Sequence, residues 1–200
     1  MIDQAVADAR ERLVWRAHRE GLATIAYDVL DSPLGPLWVA VGPRGVAAVH
    51  YGSEPTASDL ARLVRAHGAG LVPDGRRASD LARELEQYFA GKRRVFTVGA
   101  DLSGLTTFQR RILGATARVP YGELTTYATV ARKAGNERAS RAAGGALGAN
   151  PIAIVVPCHR VVASDGSLGG YAGGLPAKRR LLALERSGEV PAGGWPPSRR

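Results

Sequence analysis

The sequence predicts two units of different class: an N-terminal α/β domain, a small antiparallel sheet with helices, and a mostly helical C-terminal domain with a winged-helix-like helix-turn-helix. Three observations carry this. Apolar alternation over residues 23–51 is interrupted by two tight turns, the pattern of an antiparallel meander. Residues 57–68 and 78–90 then change to helical spacing. Beyond residue 105 the apolar positions recur at helical spacing in short segments separated by Gly- and Pro-containing turns.

Residues 3–20 read as a mixed-charge helix with Leu13, Val14 and Ala17 as a modest apolar stripe; residues 1–22 are taken as a packing extension. In the meander, Ile25, Tyr27 and Val29 alternate, Ser32-Pro33-Leu34-Gly35-Pro36 turns the chain, and Leu37–Val41 forms the next strand. Gly42-Pro43-Arg44-Gly45 turns it again into Val46–Val49. Leu60, Leu63 and Val64 mark the first helix, and Leu81, Leu85, Tyr88 and Phe89 the second, which Gly91 stops. The α/β domain is assigned to residues 23–98, with no chemistry expected in it, and residues 99–105 to a linker.

The helical domain is assigned to residues 106–187. Thr106 or Thr107 caps a helix with Phe108, Ile112 and Leu113 inward, and Pro120-Tyr121-Gly122 ends it. Helices over Thr126–Lys133 and Glu137–Leu147, joined at Gly135-Asn136, fit a helix-turn-helix. Leu175–Arg186 is a last helix, and the Gly/Pro-rich residues 188–200 are expected to be a flexible tail.

Charge is divided unevenly. Residues 1–100 hold 13 Lys/Arg against 12 Asp/Glu, a net +1, whereas residues 101–187 hold 12 against 5, a net +7, out of +9 for the chain. A basic half suits a polyanionic partner, although solvated arginines alone can produce it. No apolar run approaches the roughly 20 residues of a membrane span. The N-terminus carries Asp3, Asp8 and Glu11 rather than a signal-type apolar core, so a cytoplasmic protein is expected. One cysteine excludes an internal disulfide and a multi-thiolate zinc site, and His18, His50, His67 and His159 lack ligand spacing. Neither a metal nor a cofactor is expected.

The chemistry-bearing stretch is Ile152–Val156, read as a buried strand, leading into Pro157-Cys158-His159-Arg160 and Val161-Val162. Cationic neighbours favour the nucleophilic thiolate. Taken alone, however, a Cys-His pair leaves a buried, inert cysteine as the better reading. Adjacent residues also point to opposite faces of a strand, so His159 reaches the thiol only through a turn or a bridging water. Residues 139–146, Ala-Ser-Arg-Ala-Ala-Gly-Gly-Ala, form a nearly bare helix with one arginine. Such a face suits a minor groove, and equally suits tight helix packing.

Residues 107–185 resemble the catalytic domain of the O6-alkylguanine-DNA alkyltransferases. Pro157-Cys158-His159-Arg160-Val161-Val162 is similar to the family's acceptor motif, and Arg141-Ala142-Ala143-Gly144-Gly145-Ala146 to its recognition helix. Gly148-Ala149-Asn150-Pro151 is similar to its hinge, and Gly169-Gly170-Tyr171-Ala172-Gly173-Gly174-Leu175 to its pocket loop. Pro120-Tyr121-Gly122-Glu123 and Tyr127 resemble the start of its helix-turn-helix.

The resemblance implies a monomeric, single-turnover protein that binds the minor groove of double-stranded DNA, flips out O6-alkylguanine (or O4-alkylthymine) and takes the alkyl group irreversibly onto Cys158. It implies His159 as a base acting through water, Glu185 orienting it, Asn150 bracing the hinge, and Tyr127 donating a proton to the departing guanine. Arg141 would fill the gap in the base stack, on a DNA face that includes Ala139, Ser140, Ala142, Gly144 and Tyr127. Tyr171, Val161, Ala172, Gly169 and Leu147 would wall the base pocket. Ala172 departs from members with serine there, which removes one hydroxyl donor. Three rivals remain: a non-reactive alkyltransferase-like lesion binder, which would lack the cysteine that is present here; a Cys-His hydrolase, which needs direct Cys–His contact; and a transcription regulator, which needs more base-reading side chains than the bare helix offers.

Overall fold

The computed structural model describes residues 2–68 and 70–188; most of the expected tail, residues 189–200, lies outside them. Helix α1 (Ile2–Arg19) leads the chain. Val14 is buried while Leu13 is exposed, so the expected stripe is narrower than read.

Strands β1 (Ile25–Leu30), β2 (Leu37–Gly42) and β3 (Gly45–Tyr51) form the antiparallel meander. A fourth strand, β4 (Leu71–Pro73), adds parallel to β1 and gives the order β3-β2-β1-β4, so the sheet is mixed. Three residues between two helices carry too little periodicity to signal a strand, and the proline is tolerated because β4 is an edge. Ala40 pairs with Ala48 and Val41 with Val46, which leaves Ala47 as a bulge residue. The bulge turns both Val46 and Val49 toward one face, where they join Leu37 and Val39.

Helix α2 (Ala57–His67) starts in a capping box of Thr56 and Asp59 and buries Leu63 against Ile25, Trp38, Ala40 and Ala48 on the opposite face. Helix α3 (Gly75–Phe89), capped by Asp74, places Ala78, Leu81, Leu85 and Tyr88 on the face of Leu37 and Val39.

Residues 99–105, read as a linker, are fastened to the sheet. Val46 N donates to Gly99 O and Asp101 N to Val46 O, each at 2.7 Å. The buried Asp101 carboxylate pairs with Arg44 and His67, each at 3.2 Å. Helix α4 (Thr107–Ala117) begins in a second capping box, Thr106 with Gln109. Helices α5 (Tyr127–Lys133) and α6 (Ser140–Gly148) follow, and Gly135 turns between them with φ 84°. α6 begins three residues later than expected, with Ala139 providing no side-chain cap. Short strands β5 (Thr125–Thr126) and β6 (Val161–Val162) pair in parallel, and α7 (Gly174–Ser187) closes the fold on a left-handed Gly188.

The expected strand over 152–156 is absent. Ile152 makes a single bridge to Val49, and the chain then coils through turns with Ile154 at φ 72°, the one non-glycine positive φ among the described residues. The run is apolar because it is surrounded: Ile152, Ala153, Ile154 and Val156 lie in one core that also holds Leu37, Val39 and Leu85 from the first half and Ile112, Leu181 and Leu184 from the second. A buried turn and a buried strand look alike in composition. The β-branched Ile154 pays a conformational penalty there, a form of strain often stored beside functional groups.

Candidate active site

The turn after Ile154 delivers Cys158, His159 and Arg160 on one 3₁₀ turn. Three consecutive residues on such a turn point in three directions, which a strand would not allow. Cys158 is 6 % exposed. Its Sγ accepts from Asn150 Nδ2 at 3.1 Å. The same amide donates to Val156 O at 2.9 Å, while Asn150 Oδ1 accepts from Ile152 N at 3.1 Å, so one side chain ties the hinge to the loop carrying the thiol.

His159 is fully buried, with Nε2 2.8 Å from Glu185 Oε1. Arg160 closes on the same carboxylate through Nε (2.9 Å) and Nη2 (2.8 Å) and donates from Nη1 to Val119 O at 2.6 Å. Gly122 N (3.1 Å) and the Tyr88 hydroxyl (2.7 Å) complete the set of donors around Glu185. Against the cost of burial, the bonds from His159 and Arg160 hold this carboxyl far below the usual carboxylate range. Burial pushes the His159 imidazole down, toward its neutral form. A neutral ring that gives its Nε2 hydrogen to an ionised carboxylate presents a lone pair at Nδ1. Nδ1 is buried and makes no hydrogen bond among the described residues.

The expectation that His159 and Arg160 act on the thiol as cations is corrected by this geometry. Both are committed to Glu185, and burial raises the Cys158 thiol above its ordinary range, only partly offset by the Asn150 bond and the charge of Lys178. Lys178 is itself buried; its Nζ donates to Val161 O at 2.6 Å and to Leu168 O.

In front of the thiol lies a cavity of about 370 Å³ lined by Tyr127, Gly144, Leu147, Gly148, Cys158, Gly170, Tyr171 and Ala172. The structure thus brings Tyr127, Leu147, Tyr171 and Ala172 together around Cys158. Val161 is not among the lining residues; it is fully buried and pairs with Thr125 beneath the site. Gly169 acts at one remove: at φ 63°, a Cβ on it would lie 2.6 Å from the Tyr127 hydroxyl, so its bareness lets that phenol reach the cavity. Burial holds the Tyr127 phenol above its ordinary pKa, as a donor.

On α6, Ala143, Ala146 and Leu147 are buried, while Arg141, Ala142 and Gly145 are exposed and Ala139, Ser140 and Gly144 are half-buried. Close packing therefore accounts for one face of the bare helix and leaves the other free.

The first half contributes more than expected. Tyr88 from α3 holds Glu185, and Tyr51 at the end of β3 bonds the Tyr171 hydroxyl at 2.8 Å. Tyr88 lay unnoticed within an apolar stripe, and nothing around Tyr51 signals its role. Lys178 was recognisable in principle: it lies seven residues, two helical turns, before Glu185, which the resemblance already singled out, on the α7 face that also buries Ala177, Leu181 and Leu184.

Residues 107–187 match the family described as 6-O-methylguanine DNA methyltransferase, DNA binding domain, and residues 25–102 match its ribonuclease-like domain. The chain belongs to the 6-O-methylguanine-DNA methyltransferase family. The methylated-DNA–protein-cysteine methyltransferase of Methanosarcina barkeri is 38 % identical over 161 residues, covering 80 % of this chain and 97 % of that one. The protein of the same name from Mycobacterium tuberculosis is 40 % identical, covering 82 % and 93 %. Among solved structures, the M. tuberculosis OGT in complex with DNA superposes with a TM-score of 0.71 at 39 % identity, over 82 % of this chain and 94 % of that one. α1 precedes the stretch matched by the family's domains. No helix among the described residues is long and apolar enough to cross a membrane.

Proposed function

We propose that this protein repairs O6-alkylguanine in DNA by transferring the alkyl group irreversibly to Cys158. The observation that carries this reading is the position of the thiol: it lines a cavity beside Tyr127 and Tyr171, with a buried neutral histidine and its carboxylate behind it. An alkyl carbon stacked within a duplex is out of reach of such a thiol, so the base must rotate out. The exposed face of α6 enters the minor groove, Arg141 occupies the gap left in the stack, and the cavity receives the base.

In the transfer step one water relays the thiol proton to His159 Nδ1. Sγ attacks the alkyl carbon, the bond from that carbon to O6 breaks, and the electron pair remains on the guanine. Tyr127 gives its proton to the departing base. The imidazolium that forms is stabilised by Glu185, already ionised, which is the use of a carboxylate held by Arg160, Tyr88 and Gly122. Burial favours the protonated form of the resting thiol, so transfer includes the removal of its proton. A thioether is a poor leaving group, so each chain reacts once. We assign the protein to the cytoplasm, where a lone acceptor thiol stays reduced.

The rival hydrolase needs a direct histidine–thiol bond, and His159 faces Glu185 instead. Intact-protein mass spectrometry after mixing with O6-methylguanine duplex tests the proposal: one methyl group per chain, on Cys158, and none on Cys158→Ser. More lesions repaired than protein molecules present would refute the single-turnover reading.

A further inference from the structure

Tyr171 forms part of the cavity wall beside Cys158, and its ring stands edge-on to His159 with centroids 6.3 Å apart. The loop that carries it includes Gly166, Gly169, Gly170 and Gly173, so it has little stiffness of its own. Two anchors hold it from outside. Lys178 grips Leu168 O at one end. At the other end the anchor comes from the N-terminal sheet: Tyr51 bonds the Tyr171 hydroxyl at 2.8 Å, and the two rings meet edge to face at 5.8 Å and 71°.

The Tyr51 ring also rests against the loop backbone, since a Cβ on Gly173 would lie 2.6 Å from its Cε2. Tyr51 is well fixed in turn. It ends β3, and Val49, two residues earlier, is tied to the hinge segment by Val49 N to Pro151 O (2.8 Å) and Ala153 N to Val49 O (3.2 Å). Hinge, strand end and loop thus form one frame around the cavity. Burial raises both phenols above their ordinary range, so both hydroxyls stay protonated and the bond between them persists across the working pH range.

We propose that Tyr51 is a specificity-determining positioning residue: by fixing the Tyr171 ring and the Gly173 backbone it sets how large an alkyl group the site accepts. This rests on the alkyl-transfer reading above. A methyl group needs little room beyond Sγ, so its transfer depends weakly on where the Tyr171 ring stands. A benzyl group must find a ring-sized space, and a ring held by its hydroxyl on one side and by packing on the other resists moving aside.

The test uses the full chain with free O6-methylguanine and O6-benzylguanine bases, which need no DNA binding or flipping. Second-order rate constants are measured for the parent, Tyr51→Phe, Tyr51→Ala, Tyr171→Phe and the Tyr51→Phe/Tyr171→Phe double variant. Loss of one hydrogen bond predicts a benzyl-to-methyl rate ratio raised about two- to tenfold in Tyr51→Phe, and more in Tyr51→Ala. The double variant should match Tyr171→Phe alone, because the second hydroxyl then has nothing left to hold. A structural brace would lower both rates together and leave the ratio unchanged. If Tyr51→Ala does not fold, the isosteric Tyr51→Phe carries the test. A ratio that stays or falls in Tyr51→Phe, with a reacting parent, overturns this inference alone. A parent that reacts with neither base overturns the alkyl-transfer reading and the inference with it.

Discussion

Replacing Arg141 with alanine should separate base extrusion from chemistry. The side chain is exposed in the first turn of α6, among Ser140, Ala142 and Ala143, and lies outside the lining of the cavity. Substituting such a surface residue changes stability by no more than about 0.5 kcal/mol, so the fold and the chemistry behind Cys158 stay intact. Its proposed work is done only when a nucleotide leaves the stack, a step that costs a few kcal/mol. If the guanidinium recovers about 1.4–2.8 kcal/mol of that by stacking and bonding the orphaned cytosine, its loss slows duplex repair by roughly 10- to 100-fold. The assay pairs two substrates, O6-methylguanine in a duplex and the free base. Repair of the duplex should fall by that factor, and reaction with the free base should stay at the parental rate. A uniform weakening of binding to all DNA, with the salt slope reduced by about one unit, would instead make Arg141 a phosphate contact. Equal losses on both substrates would refute the reasoning outright, because they would put the side chain in the pocket or in the fold.

Other outcomes follow from the buried network. His159→Ala should slow alkyl transfer by roughly 10²–10⁴-fold with binding to alkylated DNA unchanged; a parental rate would remove the relay. Tyr88→Phe takes one bond from the buried Glu185 carboxylate and should cost about 1.5–3 kcal/mol of stability, read from urea denaturation; a loss within error would mean that Arg160 and Gly122 suffice. Acidification should destabilise the protein through His159. Its folded pKa lies below the unfolded value of about 6.5, so the unfolded chain binds the extra proton and stability falls as pH drops below that value toward the folded pKa. His67 is shifted in the same direction, so His159→Gln should flatten the dependence of the melting midpoint on pH without abolishing it. An unchanged slope would show that the imidazole is already protonated in the fold. An isolated 101–187 fragment, expected from the charge split to keep most of the salt slope of DNA binding, must first be shown to fold, since its core is shared with the first half.

Much of the architecture was legible because it depends on local rules. Paired turns fixed the meander, apolar spacing located α2 and α3, the cap at Thr106 fixed the start of α4, and Gly135 marked the turn between α5 and α6; α3 starts at Gly75, three residues before its apolar spacing begins. β4 escaped because three residues at an edge have no period to read. The 152–156 run was misread because burial erases the alternation that distinguishes a strand from a turn, and only the closure of the two halves on each other buries it.

The sequence by itself determined which atoms are available for chemistry: one thiol, beside one histidine, in a motif whose neighbours belong to a known family. The resemblance implied His159 as a base through water with Glu185 orienting it; how these side chains are held, and that Arg160 and Tyr88 share the same carboxylate, was decided only by the tertiary structure. Adjacency on the chain suggested that His159 and Arg160 would act on Cys158 as cations, but a 3₁₀ turn points the three side chains apart, and the carboxylate that collects two of them comes from 25 residues further on. Tyr88 and Tyr51 reach the site from 97 residues before Glu185 and 120 residues before Tyr171. Contacts of that separation leave no trace in local spacing, because they exist only once a common core has brought the two halves together.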